Sequence, residues 1–247
     1  MSQAIVQSIR ERYLQTLDKI TDAARSVGRD PESVKLVVVT KAQPIEVVQA
    51  VIEAGAHILG ENYPEESVKK LQSLHKFSAV EWHMIGHVQS RKAQLVAANF
   101  NFLHSLDSLK LAARLSRFCG EAGRTLPVLL EFNVGGEESK SGWSAWDEAR
   151  WPSLLDELAA VTALPNLQVQ GSMTMPPLGE TAEFSRPFFQ KLKRLQEYLS
   201  LQFSKVDFSE LSMGTSYDYD VAIQEGATFV RVGTAIVGPR QYKTEVG

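Results

Sequence analysis

Short apolar runs rich in valine, isoleucine, leucine and phenylalanine recur along this chain, separated by longer amphipathic stretches. Few folds accommodate that rhythm. A strand buried on both faces reads as a continuous apolar run, and a helix covering a sheet carries an apolar stripe at a 3.6-residue period. Their alternation therefore predicts repeated β-α units around a parallel sheet. Eight such runs occur, at Lys35 to Lys41, His57 to Asn62, Glu81 to Gly86, Asn101 to Leu106, Pro127 to Val134, Leu167 to Met175, Asp207 to Gly214 and Phe229 to Val237. Helical patterns lie near Pro44 to Ala54, Pro64 to Leu74, Gln89 to Ala98, Ser108 to Ala122, Trp146 to Val161, Thr181 to Gln202 and Ser216 to Gln224, and a further helix, Ser2 to Val27, precedes the first strand. Pro44 and Pro64 stand where helices open, Gly28 and Gly55 where they end.

Eight strands with interleaved helices in 247 residues fit a single (β/α)8 TIM barrel with an extra N-terminal helix, a fold of about 250 residues. A doubly wound open sheet is the alternative, but no Gly-x-Gly-x-x-Gly follows the first strand and no P-loop pattern occurs. Without a repeat, low-complexity block or linker, residues 1–247 read as one domain. The loosest stretch is Asn133 to Trp143, whose Gly-Gly-Glu-Glu-Ser-Lys-Ser-Gly reads as a mobile loop after the fifth strand.

Charge narrows the partners. A net charge of −3 offers no basic field for a polyanion, so nucleic acid is not an expected partner. One cysteine, Cys119, excludes an internal disulfide and a cysteine-based zinc cluster and suits a reducing compartment. The first residues carry no charged segment followed by an apolar core, and no run approaches the length of a membrane span. The expected location is the cytoplasm, with no membrane partner.

In a barrel of this kind chemistry belongs at the C-terminal ends of the strands. There the chain places Lys41, Asn62, His87, Ser105, Asn133, Thr174, Ser212, Gly214, Ser216, Arg231, Gly233 and Thr234. Beside a buried run Lys41 loses hydration, which favours the free amine that attacks aldehydes; the obvious product is a Schiff base, most often with pyridoxal phosphate. A solvated lysine at a strand end is the bland alternative. Barrels often bind phosphate after strands seven and eight. Gly214 and Gly233 there allow close backbone approach, Ser216 is placed to cap the next helix, and Thr234 offers a hydroxyl. Arg231, two residues before Gly233, shares its face of the strand. An arginine opposite a pyridine nitrogen keeps that nitrogen unprotonated and the cofactor a poor electron sink; a structural salt bridge is the other reading.

Other residues favour structural roles. His83 and His87 have metalloprotease spacing but lack the following glutamate, and Asp218 and Asp220 fit the first turn of a helix. Trp143, Trp146 and Trp151 read as packing on the barrel exterior, Cys119 as a buried thiol. Lys140, in its glycine-flanked loop, is placed to sample the mouth and assist entry or release of a cofactor, although a solvated side chain is the favoured reading.

Val-Thr40-Lys41, Gly60-Glu-Asn62-Tyr, Trp82-His-Met-Ile-Gly-His87-Val-Gln-Ser-Arg-Lys92, His104-Ser105-Leu-Asp107, Ser139-Lys-Ser-Gly142, Leu211-Ser-Met-Gly-Thr-Ser216 and Val230-Arg-Val-Gly-Thr-Ala-Ile-Val-Gly238 together resemble the pyridoxal phosphate homeostasis protein family, itself similar in fold to the N-terminal barrel of alanine racemase. The resemblance runs from Leu36 to Tyr242. It implies pyridoxal 5'-phosphate on Lys41, Arg231 facing the pyridine nitrogen, phosphate around Ser216, Gly233 and Thr234, and Asn62 lining the same pocket. Lys41-Ala-Gln-Pro44 stands where Lys-Thr-Lys-Pro is more usual.

The preferred function is intracellular vitamin B6 homeostasis. The protein would hold pyridoxal phosphate as a reversible lysine aldimine and supply it to dependent apoenzymes, without efficient catalysis and as a monomer. A racemase of low activity is the alternative. Racemisation needs acid and base groups on both faces of the substrate, and the tyrosine-bearing β-domain of related racemases is not expected after the eighth strand. Tyr63, Tyr217 and Tyr219 are the possible substitutes. A barrel enzyme with an aldolase-type lysine would act on another phosphorylated metabolite and be colourless.

Overall fold

The computed structural model describes residues 3–238. Ser2, the expected start of the first helix, and Tyr242, the end of the family resemblance, lie outside them. Among the described residues nine strands form, all paired in parallel: β1 (Lys35–Val39), β2 (Ile58–Glu61), β3 (Glu81–Met84), β4 (Phe102–Leu106), β5 (Leu126–Asn133), β6 (Trp143–Ser144), β7 (Leu167–Met173), β8 (Glu210–Thr215) and β9 (Phe229–Val232). The order β4-β3-β2-β1-β9-β8-β7-β5, with β4 also paired to β5, closes an eight-stranded barrel. The seam between first and last strands is in register from Lys35 opposite Phe229 to Val38 opposite Val232. The expected barrel is therefore the observed one.

Alternation along each strand divides the apolar residues into two layers. Val37, Phe102, Leu129, Met173 and Phe229, with Ile58 and Ile85 against them, form a small cluster inside the barrel. A far larger cluster fills the space between strands and helices. Gly60 belongs to the inner face: a Cβ there would lie 2.9 Å from both Val37 and Ile85.

Helices α1 (Gln3–Ser26), α2 (Ile45–Glu53), α3 (Pro64–Ser73), α4 (Ala93–Asn99), α5 (Leu109–Glu121), α6 (Leu155–Thr162), α7 (Arg186–Gln202), α8 (Tyr219–Gln224) and α9 (Thr234–Val237) surround the strands. The extra helix α1 buries Ile9, Tyr13, Thr16, Ile20 and Ala23 at three- and four-residue spacing. It packs on α2, α8 and α9, and thus straps the seam. Each fully buried isoleucine contributes about 2 kcal/mol. Arg12 and Tyr13 add hydrogen bonds to the carbonyls of Ile236 (2.7 Å) and Gly55 (3.1 Å). Pro44 precedes α2 as its cap and Pro64 opens α3. Gly28 and Gly55 follow helix ends with φ of +70° and +110°. Among the described residues no helix is long and apolar enough to cross a membrane.

One expectation is corrected. The last apolar run is not one strand to Val237: β9 stops at Val232, Gly233 turns the chain, and Thr234–Val237 form α9. The Asn133 to Trp143 segment is the expected loop after the fifth strand, and it is anchored at both feet. Asn133 accepts from Gly136 N–H (2.8 Å) and donates to the Glu137 carbonyl (2.7 Å), and β6 returns alongside the end of β5 with Trp143 opposite Phe132. Trp143 and Trp151 are buried, as expected for packing, whereas Trp146 is exposed.

Candidate functional site

At the C-terminal end of the barrel a cleft of about 460 Å³ opens between strand ends. Lys41, Asn62, Ser216, Arg231, Gly233 and Thr234 all line it, although 190 residues separate Lys41 from Arg231. Barrel closure accounts for the meeting, because β1 pairs directly with β9.

Lys41 is half-buried just beyond β1, and its backbone is fixed on both sides. Before it, the Thr40 carbonyl accepts from Lys70 Nζ (2.9 Å), and Thr40 Oγ1 donates to Glu61 Oε1 (2.7 Å). Lys70 and Glu61 form an ion pair at 3.0 Å with side chains 5% and 0% exposed, and Ser67 Oγ, which donates to the Tyr63 carbonyl (2.7 Å), lies 3.2 Å from the other carboxylate oxygen. After it, Ala42 adopts a left-handed φ of +57°, uncommon without a glycine.

Gly233 lies so close to β1 that a Cβ would meet Val39 Cβ at 3.2 Å. Its N–H donates to Ser216 Oγ (3.0 Å), which joins the turns after β8 and β9 into one cup. Ser216 therefore does not cap α8 as expected. Asp218 stands at the cap position and accepts instead from Thr215 N–H (2.7 Å). Gly214 is the predicted site residue that does not line the cleft. At φ +89° it turns toward α8, where a Cβ would lie 2.6 Å from Ala222 Cβ and 2.9 Å from Tyr219 Cα. Only glycine permits that approach, so its service to the site is structural.

Arg231 is buried at 4% exposure. It donates to Ser212 Oγ, to the Thr174 carbonyl (2.9 Å) and to Met175 Sδ (2.9 Å), neutral partners rather than a carboxylate. Burial lowers its pKa to about 10, against the opposing pull of Asp218 and Glu131, so it remains cationic at neutral pH.

Glu131, unmarked by sequence reasoning, also lines the cleft. Burial, reinforced by Asp107, raises its pKa to about 7, while Arg231, His87 and Lys140 pull the other way. Glu131 Oε2 and Asn62 Oδ1 are buried without hydrogen-bond partners among the described residues. The available signal was an acid inside the apolar run Leu-Leu-Glu-Phe.

Other candidates separate. His83 lies in the barrel interior, while His87 is exposed beside Asp107 at 2.8 Å. No group of three metal-ligating side chains occurs among the described residues. Lys140 lines the cleft with its Nζ 3.9 Å from Glu137. Tyr217 lines it too, but its hydroxyl donates to the Glu180 carbonyl; Tyr219 is buried and Tyr63 exposed outside the lining.

A family profile described as "Alanine racemase, N-terminal domain" matches residues 15–241. A pyridoxal phosphate homeostasis protein of Aquifex aeolicus is 39% identical over 233 residues, covering 94% of this chain and 98% of that protein. One from Vibrio alginolyticus is 38% identical over 240 residues, 96% of this chain and all of that protein. The solved structure of PipY from Synechococcus elongatus with PLP bound superposes with a TM-score of 0.79 at 33% identity, covering 93% of this chain and all of PipY. A barrel with lysine, arginine and a two-turn cup at one mouth, matched nearly end to end by these relatives, makes this chain a member of the alanine racemase N-terminal domain family and, within it, of the pyridoxal phosphate homeostasis proteins.

Proposed function

We propose that this protein binds pyridoxal 5'-phosphate at the barrel mouth, holds it as a reversible aldimine on Lys41, and releases it to dependent apoenzymes in the cytoplasm. The observation that carries the reading is the convergence of Lys41, Arg231 and the Ser216, Gly233 and Thr234 cup on one cleft. The residues present fit the cofactor's three chemical handles. An amine meets the aldehyde. A cationic donor that cannot accept a proton suits the pyridine nitrogen. Turns linked by the Gly233 to Ser216 hydrogen bond supply backbone N–H groups and hydroxyls for the phosphate. The orphaned Asn62 Oδ1 gives the cleft an acceptor for a bound donor.

The same geometry supports holding rather than turnover. Arg231 at the nitrogen keeps electron withdrawal weak, which disfavours the α-carbanion of an amino-acid substrate. A two-base racemisation also needs a free acid or base opposite Lys41. Tyr217, the tyrosine in the cleft lining, already donates to Glu180. The reading takes residues 1–247 as one binding domain acting as a monomer.

Borohydride reduction after incubation with pyridoxal phosphate, followed by peptide mass analysis, tests the central point. A pyridoxyl group on Lys41, with the yellow colour lost in Lys41→Ala, is expected. Labelling elsewhere or none defeats the proposal. Chiral analysis of alanine and serine incubated with the loaded protein should show negligible inversion; robust racemisation would favour the enzyme.

A further inference from the structure

A file of hydrogen bonds descends through the barrel from its mouth to its opposite end. Arg231 Nη1 donates to Ser212 Oγ, which lies 2.8 Å from His104 Nδ1. His104 Nε2 is 2.9 Å from His83 Nδ1, and His83 Nε2 is 3.4 Å from Glu81 Oε2. The first four residues are buried; Glu81, with its side chain 60% exposed, stands at the far rim. Phe102 and Phe229 wall the two imidazoles, with ring centres 5.0 to 5.8 Å away.

The ends dictate the direction. A guanidinium only donates and a carboxylate only accepts. With Arg231 donating into Ser212 Oγ, the serine proton goes to His104 Nδ1. His104, if neutral, then carries its proton on Nε2 and gives it to His83 Nδ1; His83 likewise carries its proton on Nε2, facing Glu81. The reverse assignment sets a His83 lone pair against a carboxylate and strands the serine proton. Burial lowers the pKa of both imidazoles, that of His104 well below the usual histidine value, so the neutral forms hold at neutral pH.

We infer that Ser212 and His104, backed by His83 and Glu81, are positioning residues for Arg231, and that this one-way file of donors fixes the guanidinium so that its remaining N–H groups point into the mouth. The inference rests on Arg231 facing the cofactor nitrogen. Of the five guanidinium donors, the contacts to Ser212, Thr174 and Met175 engage Nη1 and Nη2 and leave Nε–H outside the file. Glu61, Lys70 and Thr40 serve Lys41 in a comparable way, but through the backbone.

Histidine tautomers give a readout that needs no cofactor. In the cofactor-free protein with 15N-labelled histidine, long-range nitrogen–proton correlation should show His83 and His104 both protonated at Nε2 only. Protonation of His104 at Nδ1 overturns the direction. Glu81→Ala, a change at the exposed rim, should redistribute the His83 proton between its nitrogens; an unchanged His83 pattern overturns the coupling along the file. In the loaded protein, Ser212→Ala should release pyridoxal phosphate about tenfold faster, from loss of one hydrogen bond to a charged group, and Ser212→Thr should restore the native rate. Trapping at Lys41 with unchanged release in Ser212→Ala overturns the positioning role alone. Absence of trapping overturns the reading of the site itself, and with it the role of Arg231.

Discussion

Two buried polar systems approach the mouth from different sides, and they are built on opposite principles. Behind Lys41, Glu61 and Lys70 form a full ion pair, and Thr40 Oγ1 donates to the same carboxylate oxygen. Behind Arg231, a hydroxyl and two imidazoles pass hydrogen bonds in single file, and a carboxylate, that of Glu81, meets the file only at its exposed far end. The ion pair holds a backbone carbonyl, one residue before the lysine. The file holds a side chain and ends in solvent. A charged cluster sealed from water is rigid, and costly to break on one side. A neutral file tolerates substitution better, but its geometry depends on every proton in it.

The largest effect should come from breaking the first system. Glu61→Ala leaves the buried Lys70 ammonium with only the half-exposed Glu66 carboxylate, 3.6 Å away, and should cost about 3 kcal/mol in chemical denaturation, the low end for breaking a buried pair; a loss under about 1 kcal/mol would mean that Glu66 takes over the pairing. Replacing both partners, as Glu61→Leu with Lys70→Met, should recover most of that stability. Capture of pyridoxal phosphate should nonetheless slow, because the Thr40 carbonyl has lost its donor. That split between stability and capture would separate the two jobs of the pair.

Glu131 belongs to neither system, and its titration tests how dry the mouth is between them. Its folded pKa of about 7 lies above its ordinary 4.5, so the native state binds the extra proton between those values. Stability must then fall as pH rises through that window, by up to roughly 3 kcal/mol at completion. Glu131→Gln should flatten the slope of stability against pH from 4.5 to 7 and be the more stable protein at pH 8; parallel slopes would refute the shift.

The neutral file should yield less. Ser212→Ala leaves a buried guanidinium donor and His104 Nδ1 short of a partner, at about 1–3 kcal/mol by urea unfolding. At the bottom of the scale, Arg194→Ala removes an exposed pair with Glu148 and should change stability by less than about 1 kcal/mol. If that surface change matched Ser212→Ala, burial would not be what distinguishes the interior file.

The strands were legible because β-branched and aliphatic residues crowd each run and helical stripes intervene. Legibility failed where local and long-range signals disagree. Thr234–Val237 reads as strand by composition, yet Gly233 turns it into a helix whose start completes the cup. Ser216 looks like a cap, but Asp218 takes that position and frees the hydroxyl for Gly233. Lys41, Asn62, Arg231 and the cup could be read from strand ends and from family resemblance. The file could not: His104 and Ser212 are 108 residues apart, and only barrel closure and a count of donors against acceptors makes them neighbours. Glu131 left only a weak signal, a single acid in an apolar run, which does not by itself say that it faces the cleft.

The two-residue strand β6 rejoins β5 where the preceding loop departed, Phe132 beside Trp143 and Asn133 beside Ser144. The intervening residues thus form a closed detour whose two feet are stitched together. Doubling such a detour costs only about 0.6 kcal/mol in closure entropy. Because Ser139, Lys140 and Ser141 on this detour line the mouth, the rim of the cleft can be lengthened, shortened or rewritten while the strands beneath keep their register. The cleft thereby has one wall that can vary in length and sequence, above a floor of strands that cannot.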